Sequence, residues 1–364
     1  MSAVLRASLL VAVMALVSAC GTIGAGSVHR DRLDYNQALA TSWKEQMLLN
    51  IVRLRYADTP VFLDVSSVIS SYQMQSQFSL LGTISSGLTP SLADTTGRGA
   101  TLGASGTYTD RPTVSYTPLQ GDKFTRELLR PIAPAALLQL IQAGYPVDQV
   151  FQLAVRAING VYNRSSRLMW QREADPEFYK LLDALRRIQV SEALGFRLER
   201  RGAEEVSLIT FRSDRVTPAV VDDIQLVRTI LGIGTGAREL NLTFGAVPRN
   251  DRELALLTRS MFDVLLELSA RVEAPAVDVE SGRAFPAPSP GPDSGPRDQP
   301  QIRIRSGTEQ PADAFVAVRY GTHWFWIDNR DIRSKGVFTF LLMLTSLAGT
   351  GAVPQAPVIT VPAS

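Results

Sequence analysis

The chain carries few residues able to do chemistry, and their placement narrows what is open to it. It has two histidines, His29 and His323, and one cysteine, Cys20. A cysteine-built zinc centre or a His-rich metal site is therefore excluded. A serine hydrolase needs a nucleophile, a base and an orienting acid. Serines are plentiful, but His29 lies near the N-terminus, His323 sits inside the apolar run HWFWID, and no GxSxG turn occurs. Acid pairs such as Asp222 with Asp223, or Glu204 with Glu205, are sequence neighbours on expected solvent faces, and adjacent acids rarely converge on one glycosidic bond. Gly232-Ile233-Gly234-Thr235-Gly236 has the composition of a phosphate-cradling loop. Such a loop follows a strand and opens a helix, whereas this one follows an expected helix and precedes an expected strand. The last candidate is the aromatic cluster Tyr320, Trp324, Phe325 and Trp326. Strand alternation puts Trp324 and Trp326 on one face, able to grip a sugar chain or to pack a core. The residues assign no catalytic role, metal or cofactor.

Charge and composition narrow the class further. Thirty-seven basic and 35 acidic residues nearly cancel, and the basic ones are mostly arginine, read as compositional bias. A nucleic-acid binder would show a clear basic excess on one face, and none is evident. The length allows one large domain or two smaller ones.

The N-terminus is the most specific signal. MSAVLRAS supplies a short basic region with Arg6, and Leu9 to Val17 is an apolar run too short to span a bilayer. The run ends in Leu16-Val17-Ser18-Ala19-Cys20, which resembles the lipobox of bacterial prolipoproteins. The resemblance implies cleavage between Ala19 and Cys20, a diacylglycerol on the Cys20 thiol and acylation of the new amine. Glycine rather than aspartate at residue 21 resembles the default route to the outer membrane. Several acyl chains on one residue give firm anchoring. The stretches EQMLLNIVRLRY, VSYTPLQGDKF and HWFWIDNRD resemble uncharacterised proteobacterial lipoproteins, which implies no activity.

The elements expected to position these residues form an α+β fold of helices packed on antiparallel hairpins. The lipobox resemblance implies a signal peptide at 1–19 and a lipidated tether at 20–33, read as extended. The main body spans 34–273 and includes a long hairpin at 61–118. A Pro-rich disordered linker covers 274–300, a β-rich segment 301–348 and a disordered tail 349–364. Residues 34–56 read as a helix capped by Asp34, with Leu39, Trp43, Met47, Ile51 and Leu54 inward. A helical pair is expected at about 134–143 and from Pro146 to Asn159-Gly160, and a helix from Asp175-Pro176 to about 194. A hairpin over 196–212 turns near Gly202. A helix follows from Thr217-Pro218 to about 231, then a strand at 239–244. Asn250-Asp251-Arg252-Glu253 reads as a capping box opening a helix to about 272. The segment 330–347 is open between strand and helix.

The unusual element is the hairpin. From Val65 to Ala93 there is no charged residue. Tyr72, Met74, Phe78 and Leu80 alternate with serine and glutamine, and Tyr108 and Tyr116 continue the apolar set on the second arm. Two physical readings fit. Either the arms form a hairpin on a soluble sheet, contacting a core or a partner, or they are outer-membrane strands, which alternate apolar-out and polar-in and tolerate charge poorly on the lipid face. A single hairpin cannot span alone, so the second reading needs several subunits closing a barrel, an arrangement some pore-forming lipoproteins resemble. The expected partners are thus the membrane through Cys20, and an envelope protein or further copies of the chain. The leading expectation is a non-enzymatic outer-membrane scaffold or assembly component. The alternatives are a pore subunit inserting 65–118 and a periplasmic enzyme acting on glycan or lipid.

Overall fold

The computed structural model describes residues 25–69, 72–83, 99–110, 113–167, 170–201, 204–211, 217–237, 239–287 and 301–348. It is an α+β fold, and the chain divides into two compact units, residues 61–119 and the remainder.

The remainder opens with helix α1, Ala25–Arg55. Residues 25–33, expected as extended tether, are already helical, so Asp34 lies inside the helix and caps nothing. Met47, Ile51 and Leu54 are buried as expected, but Trp43 is exposed. Leu48 and Val52 are buried instead, because the last turns of α1 pack against two elements, a strand at 314–320 and a helix at 261–269. A helix gripped on two sides buries a wider face than one stripe.

In the 61–119 unit, the strands are β1 (Leu63–Ile69), β2 (Tyr72–Thr83), β3 (Gly99–Asp110) and β4 (Thr113–Pro118). After it come α2 (Gly121–Phe124), running into a π-helical turn at Thr125–Leu129, then α3 (Pro134–Gln142) and α4 (Val147–Ala154). Helix α4 ends earlier than expected. Residues 155–158 become strand β5 (Val155–Ile158), which with β6 (Val161–Tyr162) makes a tight hairpin at Asn159-Gly160. A small pair, β7 (Ser165–Arg167) and β8 (Trp170–Arg172), precedes α5 (Pro176–Val190). Strands β9 (Leu194–Arg201) and β10 (Glu204–Phe211) form the expected hairpin, and α6 (Pro218–Leu231) and β11 (Glu239–Phe244) follow where expected.

The next element corrects the sequence reading. Residues 253–258 are strand β12 (Glu253–Thr258), and helix α7 starts only at Met261, ending at Ser269. Asn250 and Glu253 do not cap a helix. Asn250 Oδ1 accepts the Arg252 N–H at 2.9 Å and Glu253 Oε2 accepts the Arg249 N–H at 2.8 Å, which fixes a turn. The actual capping box is Ser260 with Asp263. Strand β12 lies inside a six-stranded sheet of order β6-β5-β12-β11-β10-β9, parallel to β11 and antiparallel to β5. Almost every β12 side chain is buried, which a helix at this place would not achieve.

Asn159 ties this sheet to α6. It adopts φ 45°, and its side chain donates to the carbonyls of Leu231 and Glu253 and accepts the Ala255 N–H at 2.7 Å. The expected linker is also corrected in part. Residues 276–280 form a short helix, α8 (Ala276–Glu280), whose Asp278 is buried; residues 288–300 and the tail from 349 lie outside the described residues. Strands β13 (Arg305–Gly307), β14 (Ala314–Tyr320) and β15 (His323–Asp328) then make a three-stranded sheet with β15 central. The open segment 330–347 resolves as helix α9 (Ile332–Ala348).

Asp278 holds α8 to the end of α1. The Tyr56 hydroxyl donates to Asp278 Oδ2 at 2.8 Å, Arg283 lies 2.9 Å from the same carboxylate, and Tyr320 donates to Asp58 at 3.1 Å. Burial, then the Asp278 hydrogen bond, pushes the Tyr56 phenol well above its ordinary value, and burial with Asp58 raises Tyr320. A phenol raised on folding contributes stability below its unfolded value, near about pH 10, and loses it as pH rises further. Tyr56→Phe should therefore cost about 1.5–3 kcal/mol near neutrality, the range for a hydrogen bond to a charged group, and should flatten the alkaline loss of stability. Urea midpoints across that pH range measure both. An unchanged alkaline slope would show that Tyr56 does not carry the effect.

Candidate functional site: the uncharged hairpin

The unit 61–119 is built from two ladders. Strand β1 pairs with β4 from Leu63↔Pro118 to Ile69↔Thr113, with a bulge between Val65 and Ser67. Beyond it, β2 and β3 pair without interruption, from Tyr72↔Asp110 to Thr83↔Gly99. That register sets the apolar positions against one another. Met74 is opposite Tyr108, Phe78 opposite Ala104 and Leu80 opposite Leu102, while Gln73, Gln75 and Gln77 face Thr109, Thr107 and Ser105. A slip of one residue would mix the two sets, so the alternating sequence and the observed pairing agree. Leu81, opposite Thr101, ends the alternation.

The distribution of charge follows the same geometry. In β2 and β3 the only charged residue is Asp110, at one end of the ladder, and the sequence places Asp94 and Arg98 in the segment joining the other end. Each arm is 12 residues long, about 40 Å at roughly 3.3 Å per residue. A membrane-crossing strand needs about 9–11 residues. Both sheets of this unit are two-stranded, so among the described residues neither β2 nor β3 has a second strand on its outer edge. Soluble edge strands are usually defended by charge or proline, and these are not.

Of the residues singled out by sequence, Tyr116 is 58% exposed and sits across from Val65. Tyr72, Met74, Phe78, Leu80 and Tyr108 take the ladder positions given above. Ala19 and Cys20 lie outside the described residues, as does the hairpin tip at 84–98. The sequence reading passed over Val61 and Leu63 on the first arm, both exposed, as Val114 and Tyr116 are on the second. The signal for them was the same alternation, carried on past the bulge.

The other candidates have structural occupations. Asp223 forms a bidentate pair with Arg187 at 2.6 and 2.8 Å, joining α5 to α6. The glycine loop after α6 begins with Gly232 in the left-handed conformation, at φ 64°. Arg228 donates to the carbonyls of Gly234, Thr235 and Ala237, so the loop turns oxygens toward a cation rather than N–H groups toward a phosphate. Phe325 and Ile327 fill the core, with Trp324 and Trp326 half-buried on the opposite face of β15. His323 contacts only the neighbouring Thr322 hydroxyl among the described hydrogen bonds. Among the described residues no cluster of three or more His, Cys, Asp or Glu could hold a metal, and no helix is long and apolar enough to cross a membrane. No family model, curated protein or solved structure matches the chain.

Proposed function

We propose that this protein is an outer-membrane-anchored lipoprotein that works by contact rather than catalysis, as an assembly component of the cell envelope, with hairpin 61–119 as its contact element. One observation carries this reading: a long two-stranded ribbon, charged only at Asp110, whose outer edges pair with no other strand among the described residues. An isolated two-stranded sheet is marginal in water, and unpaired edges template the addition of further strands. The lipobox-like Leu16–Cys20 supports the anchoring part, because acylation there would hold the hairpin near a bilayer.

A second reading is favoured by the length and charge pattern of β2 and β3. Their two outer edges differ, so β2 of one copy pairing with β3 of the next is a head-to-tail contact, which closes into a ring when the rotation allows. A ring of uncharged alternating strands is the minimal membrane barrel, with each copy contributing one hairpin. The native mass of the protein extracted in mild detergent separates the two readings. A multi-copy particle with the hairpin protected from protease is the expected result for a ring. A monomer with a protease-open hairpin overturns the ring and leaves contact with a different envelope protein. A monomer whose hairpin no partner strand or membrane ever protects overturns the contact role itself.

A further inference from the structure

In the remainder of the chain, the C-terminal sheet and helix frame a cleft of about 380 Å³ lined by Arg303, Arg305, Arg330 and Arg333 together with Asp328, Asp331 and Ser334. We infer that this cleft binds a phosphate group, either on a lipid headgroup or free in solution, with Arg330 and Arg333 as the principal ligands. The inference does not depend on the function proposed above.

The walls are firmly built. The Arg303 N–H donates to Ser334 Oγ at 2.9 Å, tying the chain before β13 to the first turn of α9, and Ser334 is buried. Asp331 accepts both the Ser334 N–H, at 3.0 Å, and the Ser334 hydroxyl, at 2.7 Å. The turn carrying Arg330 is held as well. Lys335 donates to the Asn329 carbonyl and side-chain oxygen, and Asn329 donates to Asp313 at 2.9 Å.

The charges inside do not cancel. Four guanidinium groups line the cleft with two carboxylates. Both carboxylates are already engaged: Asp328 takes the Arg330 N–H at 2.9 Å and faces Arg305 at 3.3 Å, while Asp331 is held by Ser334. Burial works to raise the Asp331 carboxyl, but the Ser334 hydrogen bonds and the nearby Arg303 and Arg305 outweigh it and hold the group below its ordinary range. It therefore stays ionised, and the positive surplus of the cleft is what remains after counting it. Among the described residues, Arg303 pairs with an exposed Glu273 at 3.8 Å, and Arg330 with Asp313 at 3.7 Å with most of its side chain in water. Arg333 is exposed and has no ion pair among the described residues. Loose exposed pairs of this kind contribute little and exchange readily.

Like charges gathered in a concavity concentrate anions from solution. The planar guanidinium fork matches phosphate oxygens two at a time, which an ammonium cannot do. A carboxylate ligand would fit the same forks, but a phosphate presents more oxygens to several arginines at once. Arg305 and Arg303 are better placed to frame the site than to close on a ligand, since one holds Asp328 and the other anchors the wall through its backbone.

Calorimetric titration of the full chain in neutral detergent tests this with two probes: inorganic pyrophosphate, and dihexanoyl-phosphatidylglycerol below its micelle concentration with the phosphatidylcholine analogue as control. The expected result is binding of one probe, weakened about tenfold or more by Arg330→Ala with Arg333→Ala and unaffected by Arg319→Ala on β14. Tighter pyrophosphate binding assigns a free phosphate. Tighter phosphatidylglycerol binding, above phosphatidylcholine, assigns a headgroup. No binding of either probe, or equal binding by the double variant, overturns the site. All three substituted arginines are exposed, so folding is preserved in each variant.

Discussion

Where the hairpins close a ring in lipid, Met74→Arg is expected to remove the multi-copy particle while leaving the rest of the protein folded. Met74 belongs to the apolar set of β2 and sits opposite Tyr108, two positions from the Asp110 end of the ladder. On the lipid face of an assembled barrel, an arginine costs about 2–4 kcal/mol at the bilayer midplane and about 0–1 kcal/mol near the interfaces; Met74 falls between the two, and every copy in the ring would carry its cost. On a hairpin in water the same change is worth about 0.5 kcal/mol or less. The difference is large enough that native mass decides between the two. Gln75→Arg is the control, because it falls in the polar set opposite Thr107 and should be tolerated in either case. Since 61–119 is a compact unit by itself, the thermal unfolding of the remainder should be unchanged in both variants. A Met74→Arg protein that assembles as well as its parent would place the strand in water and end the insertion reading.

Cys20→Ser is expected to move the protein from the membrane to the soluble fraction. A single acyl chain holds a protein only reversibly, so firm anchoring needs the several chains that a lipobox cysteine would receive. Serine offers no thiol to acylate. Fractionation followed by mass measurement of the N-terminal peptide reads both the location and the modification. A Cys20→Ser protein that stays in the membrane would show that acylation is not its principal hold. Combining it with Met74→Arg would then show whether the hairpin supplies the attachment.

Much of the architecture could be read from periodicity where a single pattern dominated. The β2–β3 ladder, the β9–β10 hairpin, the strand at 239–244 and the helices α5 and α6 follow directly from alternation or from Pro at a helix start. The misreadings occur where local signals and tertiary context disagree. Glu253–Thr258 is an apolar run without β-branched residues before its last position, preceded by a false capping box, and reads as helix. Only its place between β5 and β11 makes it a strand. Residues 155–158 continue a helical pattern, and pairing with β12 converts them. Trp43 fits the stripe of α1, but among the described side chains the buried face of the helix lies along its last turns, from Met47 to Arg55. The hairpin, as candidate site, was legible because composition and alternation are local. The arginine cleft was not. Its lining arginines come from QIRIRSG and NRDIRSKG, and the sequence analysis treats arginine as compositional bias. The RIR spacing, which sets Arg303 and Arg305 on one side of an extended chain, was the available hint.

The Leu119 N–H donates to the Phe62 carbonyl at 2.9 Å, and Leu63 pairs with Pro118 just beyond. The polypeptide thus enters and leaves residues 61–119 at neighbouring points of one ladder. Loop-closure entropy grows only with the logarithm of length, so the remainder of the molecule is nearly indifferent to how much chain is inserted there. The hairpin is consequently a cassette. It can be shortened two residues per arm at a time, reduced to a tight turn, or exchanged for a ribbon of another length, and natural variation in span can accumulate there without disturbing the core of the remainder.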